Sequence, residues 1–176
     1  MLLLIDGYNL LNGSDVFARG RAAGTLAAAR EALLAFLAGA LEPRLRERTV
    51  IVFDAAMAPP GLPRELAWDG ISVRIAPRKS TADELIEELI DAAADPRHLL
   101  VVSSDHRVQR AARQKGAQFI DSEKWYAALA AQTRAARSSA AAEDKPATAD
   151  NPFPPGYAAD VASEDWRPPR RTGKKS

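Results

Sequence analysis

The chain of 176 residues is 47% hydrophobic, carries a formal net charge of +1 and contains no cysteine. That length suits one compact domain with a tail, and it can bury enough apolar surface to fold without covalent staples. The missing cysteines exclude a disulfide framework, a thiol nucleophile and a cysteine-based zinc site, and the near-neutral charge excludes a uniformly basic nucleic-acid binder while leaving room for a basic rim around an acidic centre.

The apolar start is too short for a transmembrane span and lacks the basic flank and small-residue cleavage site of a signal peptide, so a cytoplasmic protein is expected. Residues 2–5 are an apolar run that meets Asp6-Gly7, the pattern of a strand buried on both faces and ending in an acid. Asp6-Gly7 equally fits a plain turn, with Asn9 or Asn12 capping a following helix. Over residues 21–41, Leu26, Ala29, Leu33, Leu34, Phe36 and Leu37 recur at spacings of three and four, which predicts an amphipathic helix covering a sheet. Pro43 ends it, and residues 49–53 (TVIVF) predict a second buried strand closing on Asp54. Pro59, Pro60, Gly61 and Pro63 make residues 55–68 a loop rather than an element. Ile71, Val73 and Ile75 alternate with Ser72 and Arg74, as in a half-exposed edge strand.

Residues 80–94 carry the clearest helix signal, because Thr81 to Glu84 has capping-box spacing and Leu85, Ile86, Leu89 and Ile90 form one stripe. Asp83 and Glu87, four apart, flank that stripe. Residues 98–103 predict another central strand, Ser104-Asp105 starts a helix that Gly116 ends, residues 117–120 predict a short strand, and residues 122–137 a last helix with Trp125, Tyr126 and Leu129. This order predicts an α/β fold, a three-layer α/β/α domain over residues 1–137 with a mostly parallel, roughly five-stranded sheet in the order 3-2-1-4-5. Strands one and four then meet where the order reverses, the place where such sheets bind ligands, and they end on Asp6 and Asp105. Residues 138–176 lose apolar periodicity and read as a disordered tail. Its last ten residues, RPPRRTGKKS, hold five basic groups and no acid, which suits either a salt-sensitive phosphate contact or a merely solvated end.

Three acids from distant stretches converge in this topology: Asp6, Asp83 and Asp105. Gathered carboxylates repel one another and stay ionised most readily around a hard cation such as Mg²⁺ or Mn²⁺, the basis of metal-assisted phosphoryl chemistry. No His or Lys base is then required. Each acid also has a local reading: Asp83 complements a helix dipole beside the Glu84 of the capping box, and Asp105 is a helix N-cap. Asp54, Glu87 and Asp121 are secondary candidates at the rim. Asn9, Ser103 and Ser104 offer an amide and hydroxyls to a substrate. Arg78, Lys79, His106, Arg107 and Arg110 bracket the acids with positive charge suited to a phosphodiester backbone, although a solvated charged face explains the arginines equally well. His106 is a candidate proton donor to a leaving oxygen, while a lone exposed His is usually incidental.

Taken in order, I-D-G-Y-N-L-L, V-I-V-F-D-A, S-T-A-D-E-L-I-E and V-V-S-S-D-H-R-V-Q-R-A-A-R-Q-K-G-A resemble the NYN domain family of the PIN-like nuclease superfamily, in its YacP-like branch, over residues 1–136. The resemblance implies a PIN-like α/β/α fold and a metal-dependent endoribonuclease with Mg²⁺ or Mn²⁺ held by Asp6, Asp83 and Asp105. Asn9 matches the amide of the first segment. It also implies RNA as substrate, with the ribosome as a partner, since the branch includes a ribosome-associated endoribonuclease that cuts translated mRNA. The proline-rich stretch 58–63 and the tail have no counterpart in it.

A non-catalytic RNA- or ribosome-binding module with a vestigial acidic site is the alternative. A haloacid-dehalogenase-like phosphatase also places an Asp after the first strand but needs a second Asp two residues on, where this chain has Tyr8. A Rossmann reading fails because no Gly-x-Gly-x-x-Gly or Walker A loop follows any strand.

Overall fold

Apolar runs of four or five residues can pair in parallel only when helices cover both faces, and the chain alternates accordingly. The computed structural model describes residues 2–14, 26–54 and 63–143. The elements are β1 (Leu2–Asp6), α1 (Gly7–Asn12), α2 (Leu26–Ala40), α3 (Pro43–Arg46), β2 (Thr49–Phe53), β3 (Glu65–Trp68), β4 (Ile71–Ile75), α4 (Ala82–Asp91), β5 (Leu99–Val102), α5 (His106–Lys115), β6 (Gln118–Ile120) and α6 (Ser122–Glu143), with a short 3₁₀ turn at Pro96–His98. Two compact units divide the chain, Met1–Arg137 and Ser138–Ser176. Of the second, only the continuation of α6 to Glu143 lies among the described residues. The expected helix start at residues 21–25, most of the proline-rich stretch and the tail from 144 onward lie outside them.

Among the described residues the sheet has six strands, in the order β3-β4-β2-β1-β5-β6. β1 lies parallel to β2 on one side and to β5 on the other, with Asp6 opposite Val52 and Ile5 opposite Val102. β4 and β6 extend the parallel sheet outward. The five parallel strands keep the expected order. The correction is β3, a sixth strand formed by residues expected to lie in a loop, which pairs antiparallel with β4. Asp69 (φ 46°) and Gly70 (φ 88°) join the two strands, and two positive-φ residues of this kind make the turn that suits the twist of a tight hairpin. The prolines that signal a loop lie upstream of β3. Consequently β4, expected at the edge, is covered by β3.

Side-chain alternation sorts the core into two faces. Leu3 and Ile5 of β1 join Leu10, Leu11, Leu33, Leu37, Phe53, Tyr126 and Leu129 on the side of α1, α2 and α6. Leu4 joins Val52, Ile86, Ile90, Val101, Val108 and Ala112 on the side of α4 and α5. Each such side chain, fully buried, contributes about 1.5–3 kcal/mol. Asp6 and Ser103 follow Leu4 and Val101 by two residues, so the pleat brings them to the second face, where α4 and α5 begin. No helix among the described residues is long and apolar enough to cross a membrane.

The turn from β1 into α1 depends on Gly7. A Cβ there would lie 2.4 Å from Cε1 of Phe53, a ring buried to 1% exposure and stacked edge-on against Tyr8. Replacement of Gly7 by Ala must therefore displace the ring or the start of α1. Gly7→Ala is expected to cost about 1–3 kcal/mol by overpacking. Thermal unfolding followed by circular dichroism would show a loss of several degrees, and an unchanged melting temperature would refute the assignment.

Candidate active site

Asp6 ends the central strand with 3% of its surface exposed and caps α1. Its Oδ1 accepts the backbone N–H of Asn9 at 3.1 Å, and its Oδ2 accepts Asn9 Nδ2 at 2.7 Å and Ser103 Oγ at 3.1 Å. The helix starting one residue after the acid makes this possible, because it turns Asn9 back toward its own cap. Burial pushes the Asp6 carboxyl above the usual carboxylate range; the hydrogen bonds from Asn9 and Ser103 oppose that shift, and the charge of Asp105 adds to it.

Ser103 is fully buried just past the end of β5. Its hydroxyl donates to Asp6 and accepts the backbone N–H of Asp105 at 3.1 Å, while its carbonyl takes Nε2 of Gln109 at 2.8 Å. One hydroxyl thus ties the Asp6 carboxylate to the backbone of Asp105. Asp105 caps α5, with Oδ1 accepting the N–H of Arg107 at 2.6 Å.

Asp83 lies in the first turn of α4. Thr81 and Glu84 form the complete capping box there, so the cap is closed without the Asp83 carboxylate. Burial raises its pKa, the charges of Asp105 and then Asp6 raise it further, Arg107 opposes the shift, and Glu87 adds to it. The charges of Asp105 and Asp6 thus both reach Asp83, and that of Asp105 reaches Asp6.

The remaining sequence candidates divide by position. Asn9 donates its backbone N–H and Nδ2 to Asp6, and Ser103 donates its hydroxyl. Glu87, one turn beyond Asp83, receives both Nε and Nη2 of Arg107, at 2.7 and 2.9 Å. Arg78 and Lys79 are exposed in the turn before α4, and His106 is exposed at the start of α5. Ser104 accepts the N–H of Ser122 at 3.1 Å. Asp121 takes the backbone N–H groups of Glu123 and Lys124 at the start of α6, and these bonds, with the Ser104 hydroxyl, hold its carboxyl below the usual range. Asp54 follows β2 and acts on Tyr8, whose phenol is pushed up mainly by burial and held down by Arg30.

Sequence reasoning passed over Arg30, which is 8% exposed and donates Nη1 to Tyr8 Oη at 3.2 Å. The signal was available, because Arg30 stands three and four residues before Leu33 and Leu34 on the buried side of α2.

The donor set at the three acids is carboxylate oxygen alone, which fits Mg²⁺ or Mn²⁺ and not a softer metal. Among the described residues, no three or more His, Cys, Asp or Glu side chains are grouped so as to hold a metal ion. Mg²⁺ commonly keeps several waters and takes only one or two carboxylates directly, so the fit is one of donor chemistry rather than of a closed cage.

Residues 3–154 match the family model of the YacP-like NYN domain. A crystal structure of Rae1 (YacP) from Bacillus subtilis shares the fold at a TM-score of 0.63 and 24% identity, over 80% of this chain and 79% of that one. A crystal structure of a mutant of the same Bacillus subtilis protein aligns at a TM-score of 0.59 and 21% identity, over 85% and 87%. The chain matches no curated protein. With the family model spanning most of its length, the chain belongs to the YacP-like NYN domain family.

Proposed function

We propose that the protein is a divalent-metal-dependent endoribonuclease that hydrolyses RNA phosphodiesters in the cytoplasm, with ribosome-associated mRNA as its substrate. The observation that carries this reading is the hydrogen-bonded link from Asp6 through the Ser103 hydroxyl to the backbone of Asp105 at the carboxyl edge of the sheet, with Asp83 near enough for the charges of both to raise its pKa. Membership of the YacP-like NYN domain family supports a nuclease-type, RNA-related function.

Asp6, Asp83 and Asp105 are the residues that would hold Mg²⁺ or Mn²⁺. When bound, such a cation lowers the pKa of a coordinated water and offsets charge on the phosphate. Asn9 and Ser103 fix the ionised Asp6 carboxylate through three hydrogen bonds, which hold it in one rotamer. Asp105 is held by its own cap, and Asp83 by the rigid first turn of α4. Exposed Arg78, Lys79 and His106 are the groups that would attract the backbone of a polyanion without reading sequence. A binding module without catalysis is the second reading, favoured by the lack of a closed three-acid group among the described residues.

Asp6→Asn and Asp105→Asn are each expected to lower Mn²⁺-dependent cleavage of single-stranded RNA by about 100-fold or more, the scale of losing a metal-site group. Their melting temperatures should stay within a few degrees of the parent, and EDTA should stop the parent. Full activity in the variants or in EDTA sinks the nuclease reading, and RNA binding without cleavage in any divalent metal selects the binding module.

Protonation gives a second test. A cation needs ionised carboxylates, and Asp6 and Asp83 hold their protons more tightly than ordinary aspartates. Cleavage should therefore fade on acidification above the ordinary aspartate value of about 3.9. Without metal the sign reverses. A carboxyl whose folded pKa is raised contributes stability that is present below the unfolded pKa and is lost as pH rises through the folded one. The metal-free parent should accordingly gain melting temperature relative to Asp6→Asn as pH falls through that window. Parallel melting profiles across the pH series would contradict it.

A further inference from the structure

Beside the acids, the carboxyl ends of β5 and β6 open a second recess. Ser104, His106, Gln109, Phe119, Asp121 and Lys124 line a cleft of about 390 Å³, within the range of about 300–1,000 Å³ usual for small-molecule sites. Its wall is apolar where β6 contributes Phe119 and Ile120, and the Arg113 guanidinium, which does not line the cleft, lies over the Phe119 ring, 5.0 Å from its centroid. Its rim is polar and mixed. Gln109 commits Nε2 to the carbonyl of Ser103, so Oε1 is the atom it presents as an acceptor. Lys124 brings a cation and Asp121 a carboxylate held by backbone N–H groups. The cleft adjoins the acids through the chain itself, since Ser104 stands between Ser103, bonded to Asp6, and Asp105.

An aromatic surface, an edge of donors and acceptors, and a cation beside a phosphodiester site are together what an unpaired base requires. A second cleft of similar size, between α4 and α5, lacks an aromatic lining and is flanked by the Glu87–Arg107 and Asp91–Lys115 ion pairs, so it does not offer the same chemistry. The geometry points to the β5–β6 cleft as a nucleobase subsite, which receives one unpaired base next to the scissile phosphate with Phe119 as stacking surface and Gln109 and Lys124 at the base edge. This assignment rests on the ribonuclease reading, and the experiment separates the two.

Binding of labelled single-stranded RNA oligomers is measured by fluorescence anisotropy on the full chain carrying Asp6→Asn, with and without Phe119→Leu or Gln109→Ala. Phe119→Leu keeps the apolar volume and removes the aromatic face, so affinity should fall about tenfold, the scale of one lost base stack. An abasic oligomer of equal length should bind both chains alike. In the Asp6 parent, Gln109→Ala should relax the choice of base beside the Mn²⁺-dependent cut. If the Asp6 parent and its Gln109→Ala variant cut beside the same bases and neither Phe119→Leu nor Gln109→Ala changes affinity, the subsite is wrong and the nuclease stands. Base-dependent affinity lost in Phe119→Leu, from a protein whose Asp6 parent cleaves RNA in no divalent metal, leaves the subsite standing and removes the nuclease. An equal loss with the abasic oligomer means a phosphate contact and overturns the subsite. Should Phe119→Leu not fold, Gln109→Ala decides by the same readouts.

Discussion

A carboxylate withdrawn from water at the end of the central strand costs several kcal/mol unless its oxygens are met by donors, and the surroundings of Asp6 answer that cost. Three donors converge on it from two sources, the first turn of α1 and the residue that closes β5. Each hydrogen bond to a charged group contributes about 1.5–3 kcal/mol. The balance still leaves the carboxyl easier to protonate than an exposed aspartate. Meeting this requirement sets where α1 must begin, why β5 must end on a hydroxyl and where Asp105 must start α5.

Local and chemical roles prove compatible in this arrangement. Asp105 caps a helix through Oδ1, and the same cap points its carboxyl group into the field of Asp6 and Asp83. At α4 the two roles fall on neighbours instead. Glu84 reaches back to the Thr81 N–H, and Asp83, one residue earlier, is left facing the other acids. A helix start serves such a site well because it supplies a fixed first turn and a positive dipole end to offset gathered negative charge.

The parallel strands were legible because each is a short apolar run between helical periods, and parity along those runs already assigns Asp6 to the α4–α5 face. β3 was hidden because Glu65 to Trp68 is too short to outweigh the prolines before it, although the Asp69-Gly70 turn was a hairpin signal in plain view. The three acids could be read from strand ends and a cap. Ser103 could not be read as the link between two of them, since that depends on β1 pairing with β5 in the register that sets Ile5 beside Val102. The need for Gly7 was equally invisible, being imposed by the ring of Phe53 from a neighbouring strand. Contacts made through sheet register carry no local pattern.

β1 is hydrogen-bonded along both edges, so the strand that delivers Asp6, and with it the end of β5 that delivers Asp105, belongs to the part of the fold that opens last. Asp83 arrives differently, on a helix that packs on the sheet through Ala82, Ile86 and Ile90, with Leu85 and Leu89 beside them. The three acids are therefore carried in two ways: Asp6 and Asp105 by the ends of paired strands, and Asp83 by the capped first turn of a helix packed on the sheet.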